Sequence, residues 1–423
     1  MSRVHAAGVL LSLASIAYLM VALWRMSRFH ERRLFTSPFQ PPVTIMLPVC
    51  GAPRGLYECL RSCCEQDYPV YQVVFGLHRA DDAGRGVIER IMSELPHLDA
   101  ALVVDDARIG SNPKVSNLAN MYRAVRHDVI VMVDSDVKVD PAFLTTVVAP
   151  LSEDGVGGVT CLYKGEPVEN LASRLGAMHI NNWLLPSMLV DSGLREIDLL
   201  YGAVMAVTRR SLESAGGFRA LASAVAEDDV LGRLLRGAGF RLRLAPYVVG
   251  TIVAEDGVET LFEHELRWMR SLRACRPLAH ACALVMHGLL PCSVLLLWPH
   301  FRLSYLVLLL LHAALKQQLD IVVSGRLGCR RHASLGMLLV RECLTFNVWL
   351  ASFASRSMRW GGHVLRAEKG LQMAVHPLAD GTAPAGIPTF NPATASAAAT
   401  SACSPGDATS TSPAPPAPAR ARA

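Results

Sequence analysis

The sequence predicts an α/β domain with a mostly parallel sheet, held between apolar membrane helices near both ends of the chain. Three observations carry that expectation. Between Pro42 and Pro277, short β-rich runs alternate with helical ones, the pattern of strands joined by covering helices. Before it, Ala6 to Trp24 is a run of 19 uncharged residues, near the length that spans a bilayer. After it the chain turns apolar again, and hydrophobic residues make up 51% of the whole.

Taken in order, Ala6–Trp24 is followed by Arg25, Arg28, Arg32 and Arg33. The positive-inside rule then puts the N-terminus outside and the rest of the chain, from Arg25, in the cytoplasm. A cleavable signal peptide fits less well, because no basic region beyond Arg3 and no small-residue cleavage site accompany the run. Residues 1–30 are therefore read as an anchor and 42–277 as a cytoplasmic domain. Within that domain "VTIMLPVC", "YQVVFGLH", "AALVVDD" and "VIVMVDSD" read as strands. "GLYECLRSCCEQ", "GVIERIMSEL" and "KVSNLANMYRAV" read as helices. Leu278–Trp298, interrupted at "HGLLP", and Ser304–Val323 read as a membrane hairpin over 278–325. Ser334–Phe353 contains Arg341, Glu342 and Asn347 with basic residues on both flanks. It is expected to be interfacial or re-entrant, within a segment 326–370. From 371 to 423 the chain is Ala/Pro/Ser/Thr-rich and is expected to be disordered.

Composition excludes several classes. Lys and Arg number 41 against 36 Asp and Glu, too small an excess for nucleic-acid binding but suited to an anionic membrane surface. The 11 cysteines fall at irregular spacings, which argues for free thiols rather than a zinc site or a disulfide framework.

The chemistry is concentrated in a few strand and helix ends. In "VIVMVDSD" Asp134 and Asp136 lie two apart, on one face of a strand and at its carboxyl end, where ligands bind in such sheets. Two carboxylates there can share one Mg²⁺ or Mn²⁺ with substrate phosphates, although aspartates at such junctions also serve turns. "LHRADD" puts Asp81 and Asp82 at another strand end. "NPKVSNL" offers Lys114 and Asn117 where a helix begins. "AEDD" opens a helix with Glu227, Asp228 and Asp229, where simple capping is the plainer role. "HELRWMRSLR" sets His264, Arg267 and Trp268 on one helix running to the membrane. Arg270, Arg273 and Arg276 there read as lipid-surface anchors.

This order of motifs, with "QDYP" and "VRECLTF…MRWGGHVLR", resembles the ceramide glucosyltransferase-like membrane glycosyltransferases of GT-A fold over about Pro42 to Gly370. More closely, "VTCLYKG", "APYVV" and "HELRWMRSLRACRP" are similar to the bacterial hopanoid biosynthesis-associated glycosyltransferases. His264 stands where the broader family has Gln or Arg, and "MLPVCG" replaces Lys-Pro-Leu-x-Gly. The resemblance implies a membrane-bound, metal-dependent, inverting hexosyltransferase of the GT-A nucleotide-diphospho-sugar class, using a UDP-sugar. Asp228 would be the general base, and Asp134 and Asp136 would hold Mg²⁺ or Mn²⁺. Arg267 would face the diphosphate and Trp268 the sugar–acceptor cavity. Asp81 (or Asp82, one residue on), Lys114, Asn117, Asp134 and His264 would meet the donor. The implied reaction moves N-acetylglucosamine to a bacteriohopanepolyol at the bacterial inner membrane, with the catalytic domain facing the cytoplasm. The alternatives are glucose transfer to ceramide and, with too few spans for a secretion channel, a processive polysaccharide synthase. The partners implied are the UDP-sugar, the lipid acceptor and the bilayer, with no nucleic acid.

Overall fold

Eight strands form one sheet in a computed structural model that describes residues 3–297, 303–329, 334–355, 357–360, 363–367 and 373–376. They are β1 (Val43–Pro48), β2 (Tyr71–Leu77), β3 (Ala100–Val104), β4 (Val129–Val133), β5 (Val137–Lys138), β6 (Val156–Pro167), β7 (Val204–Thr208) and β8 (Arg241–Val253), in the order β3-β2-β1-β4-β7-β6-β8-β5. The first four are parallel. β7 enters antiparallel between β4 and β6, while β8 runs parallel to β6. β1 and β4 are apolar runs because both of their faces are covered. Ile45, Leu47, Val131 and Val133 point into one core with Phe143 and Tyr247. Met46, Ile130 and Met132 point into another with Val115, Leu118 and Leu231.

The expected helices appear as Leu56–Cys64, Gly84–Glu94 and Pro113–Met121. The last begins sharply because Asn112 Oδ1 accepts from Val115 N at 3.1 Å and proline follows at the first helical position, where its missing N–H costs nothing.

Helices Arg3–Arg28 and Leu303–Leu327 are long and apolar enough to cross a membrane, and the bent pair Pro277–Met286 and Leu289–Leu296 adds a third crossing if it is one span. The bend is 52° and falls at His287 and Gly288, within the "HGLLP" interruption. The α/β domain grips these helices directly. Helix Leu185–Leu194 places Leu185 and Leu189 against Leu19 and Met26 of the first span and Leu319 and Val323 of the other. The "PHFR" connection (299–302) and Arg330 and Arg331 lie outside the described residues.

Helix Leu335–Ala351 turns its ionic residues inward: Arg341 and Glu342 are buried, and Glu342 pairs with the equally buried Lys316 at 3.3 Å. Beyond it, Ser357–Trp360, His363–Ala367 and Met373–His376 form a three-stranded antiparallel sheet. The third strand lies inside the segment that composition had set apart as a disordered tail; the tail beyond it, from 377, lies outside the described residues.

Candidate active site

β4 ends at Val133, and the two aspartates that follow are both pinned. Asp134 N donates to Ala203 O at 3.1 Å, and the Asp136 carbonyl accepts from Ile252 N of β8 at 2.9 Å. Both carboxylates therefore leave a fixed turn at the carboxyl edge of the sheet. Lys114, in the first turn of helix Pro113–Met121, joins this edge to the opening of helix Glu227–Gly237. Its Nζ lies 2.5 Å from Asp134 and 2.8 Å from Glu227. Glu227 also accepts from Asn112 Nδ2 at 3.4 Å, so Asn112 caps one helix and steadies the carboxylate that opens another.

Glu227 makes no capping bond to its helix and is buried on Lys114. Asp228 bonds locally, through Oδ1 to Asp229 N at 2.8 Å. Its other oxygen lies beside Gly202, where an added Cβ would come within 3.1 Å. Arg267 comes from helix Val258–Cys275 and faces Glu227 and Asp134. On the same helix His264 Nδ1 meets Glu255 at 2.5 Å, and its ring stands edge-on to Trp268 at 4.4 Å. Asp136, Thr251, Glu255, His264 and Trp268 line one cleft.

Electrostatics follow from crowding carboxylates out of water. Burial pushes Asp136 up to about 7, with the neighbouring Asp134 adding to the shift. Burial likewise raises Asp228 to about 7, helped by Glu227. Asp134 is also raised by burial, against the pull of Lys114. Glu227 goes the other way: burial alone would raise it, but Lys114 outweighs that and holds it ionised. Lys114 is raised because its two carboxylates overcome its own desolvation. Desolvation lowers Arg267, opposed by Glu227 and Asp134.

Four carboxylates thus gather around two cations. Asp134 and Asp136, two apart at the sheet's carboxyl edge, are the pair that would hold a divalent ion. Among the described residues no group of three or more His, Cys, Asp or Glu is placed to hold a metal. A carboxylate pair suits Mg²⁺ or Mn²⁺ bound jointly by protein and diphosphate oxygens.

Three expected donor residues stand elsewhere. Asp81 is exposed and paired with Arg79 at 2.6 Å, which holds its carboxyl below the usual range. Asp82 instead accepts from Gly51 N at 2.9 Å and Gly84 N at 2.8 Å, tying the loop after β1 to the start of helix Gly84–Glu94. Asn117 is buried, with Nδ2 donating to Gly76 O at 2.9 Å, so it locks its helix onto β2. The remaining expected residues, Asp134, Asp136, Lys114, Asp228, Arg267, Trp268 and His264, are brought to one edge of the sheet.

The arginines after Trp268 also differ from the expected lipid anchors. Arg270 donates to Ser357 O, and Arg273 to Ser355 O at 2.7 Å. Arg276 pairs with Asp229 at 2.6 Å and Asp198 at 3.0 Å. Sequence reasoning missed Glu255, which carries no motif, and the half-buried Tyr163, whose hydroxyl is pushed up by burial and by the nearby charges of Asp228, Asp136 and Asp134; the "VTCLYKG" run was its signal.

A mostly parallel sheet whose carboxyl edge presents an Asp-x-Asp pair and a lysine bridge, with an arginine from helix Val258–Cys275 beside them, is the arrangement of a GT-A-type glycosyltransferase. The chain belongs to glycosyl transferase family 21, whose model matches residues 7–373. It is similar to ceramide glucosyltransferase 3 of Caenorhabditis elegans, 22% identical over 79% of this chain and 74% of that one. It is also similar to ceramide glucosyltransferase 1 of the same organism, at 22% over 64% and 58%. The ceramide glucosyltransferase of Komagataella phaffii is 34% identical, over 30% of this chain and 26% of that one. The matches thus span from about a quarter to about three quarters of these relatives' lengths. The fold is shared with a mannosyltransferase of Pyrobaculum calidifontis solved with GDP-Man and Mn²⁺, with TM-score 0.50, 17% identity, and coverage of 83% of this chain and 98% of that one.

Proposed function

We propose that this glycosyltransferase moves a hexose from a UDP-sugar to a hydroxyl of a membrane lipid, with inversion, at the cytoplasmic face of a bacterial inner membrane. The observation that carries the reading is the Lys114 bridge between Asp134 and Glu227, with Arg267 facing both and Asp228 alongside. A ceramide acceptor with UDP-glucose is the reading that the relatives' names favour. Transfer of N-acetylglucosamine to a bacteriohopanepolyol is the second reading, favoured by "HELRWMRSLRACRP" with His264 in place of Gln or Arg.

The acceptor oxygen attacks the anomeric carbon as the bond from that carbon to the diphosphate breaks. Asp228 takes the hydroxyl proton on the oxygen beside Gly202, since its other oxygen is held by Asp229 N; a base near neutral pKa suits that task. Asp134 and Asp136 would hold Mg²⁺ or Mn²⁺, which when bound supplies Lewis-acid stabilisation of the leaving diphosphate. Arg267 adds fixed positive charge where negative charge develops. Lys114 keeps Glu227 ionised and holds both Asp134 and Glu227 in place. Trp268 and His264 wall the cleft beside Asp136, and the Glu255 contact orients the His264 ring.

The test is a product assay. Membranes containing the protein receive Mg²⁺, UDP-glucose or UDP-N-acetylglucosamine, and ceramide or bacteriohopanepolyol, and lipids are read by mass spectrometry. Hexosyl-ceramide supports the first reading and hexosaminyl-hopanoid the second. No glycolipid from any pairing would sink both.

A further inference from the structure

Helix Val258–Cys275 carries His264, Arg267 and Trp268, and the C-terminal part of the chain holds it in place. Glu265 is 2% exposed and Arg341, on helix Leu335–Ala351, is fully buried. Their contact is bidentate: Nη1 donates to Oε1 at 2.9 Å and Nη2 to Oε2 at 2.6 Å. The same guanidinium donates to Leu175 O at 3.1 Å and to Thr345 Oγ1 at 2.8 Å. One side chain therefore joins helices Leu171–His179, Val258–Cys275 and Leu335–Ala351. Further along, Arg270 and Arg273 reach the carbonyls of Ser357 and Ser355. Three points along the helix are thus tied to the segment 341–357.

Apolar burial is non-directional and would hold these helices together without fixing their rotation. A two-bond carboxylate–guanidinium fork does fix it. Such a pair is no more stabilising than apolar residues of similar volume, so its presence points to geometry rather than to stability. Arg267 lies two residues beyond Glu265, and Trp268 three. Any rotation of the helix moves both away from Asp134, Glu227 and the cleft.

We propose that Arg341, acting through Glu265, is a positioning residue for sugar transfer. It sets the rotation of helix Val258–Cys275 so that Arg267 and Trp268 meet the donor diphosphate and the cleft. This rests on the reading of Arg267 given above.

The test compares the full-length protein in detergent with Arg341→Lys and the double variant Glu265→Leu/Arg341→Met, using UDP-glucose, ceramide and Mg²⁺. The double variant leaves no unpaired charge and should keep its Tm. Its kcat should nevertheless fall on the order of 100-fold, the cost of about 1 Å of misplacement, with the KM for UDP-glucose little changed. Arg341→Lys keeps the charge but not the fork, and should lose kcat in the same direction. A folded double variant with wild-type kcat would overturn the proposal. If the double variant does not fold, wild-type kcat in Arg341→Lys does so instead. If the wild type itself makes no glucosylceramide, the ceramide reading fails separately. The positioning is then judged by hydrogen exchange across residues 264–268, where faster exchange in Arg341→Lys supports it and unchanged protection overturns it.

Discussion

Asp228 combines a near-neutral pKa with one oxygen free of the backbone. Asp228→Asn should lower transfer by about 10²–10⁴-fold, the usual worth of a positioned general base, while donor binding persists. An unchanged transfer rate would remove Asp228 from that role. A base works in its ionised form, so its raised pKa has a direct sign. kcat/KM should climb as pH rises through about 7 and level off above it. A flat profile from acid to neutral pH would contradict this. Chelation should abolish transfer if Asp134 and Asp136 hold the ion, and added Mn²⁺ or Mg²⁺ should restore it. The positions of these carboxylates were legible in the sequence because each motif places them at an element's end, while their proposed roles came from the family resemblance. Between Asp81 and Asp82 the sequence leaves the choice open, because "RADD" offers two adjacent carboxylates and only the turn geometry decides which bonds to the backbone.

Helix Val258–Cys275 is the element on which the site depends. It meets Glu255 near its start, the carboxylate cluster in the middle and Asp229 just past its end. Arg276 is half-buried between Asp229 and Asp198, and Asp229 itself is buried. Arg276→Ala should destabilise the protein by about 3 kcal/mol, the scale for breaking a buried ion pair, read by chemical denaturation. Since Asp229 adjoins Asp228, transfer should fall as well. A run of arginines on a helix entering a membrane reads naturally as lipid anchoring. Spacing alone does not reveal that Asp198, Ser355 and Ser357 lie within reach, because each is brought there by a different part of the fold.

The catalytic domain and the apolar helices share one core. Leu185 and Leu189 of the domain pack on Leu19, Met26, Leu319 and Val323. Deleting residues 1–30 would expose that apolar surface to water, at about 25 cal/mol per Å². The truncated protein should aggregate or lose transfer rather than become a soluble enzyme, as fractionation and a product assay would show. An active, soluble truncation would show that the anchor is only a tether.

The class of fold, the two long apolar helices and most of the carboxylates that matter were readable from the chain. Hydrophobic periodicity and strand-end aspartates are local signals, set within ten or so residues. The tertiary structure alone decided which carboxylate pairs with Lys114, that Arg341 and Lys316 are buried rather than lipid-facing, and that Tyr163 and Glu255 belong near the site. Those facts depend on which distant segments meet, and partners such as Glu265 and Arg341, 76 residues apart, leave no periodicity in either segment. Burial of a charge is a property of its neighbours, and neighbours are chosen by the fold.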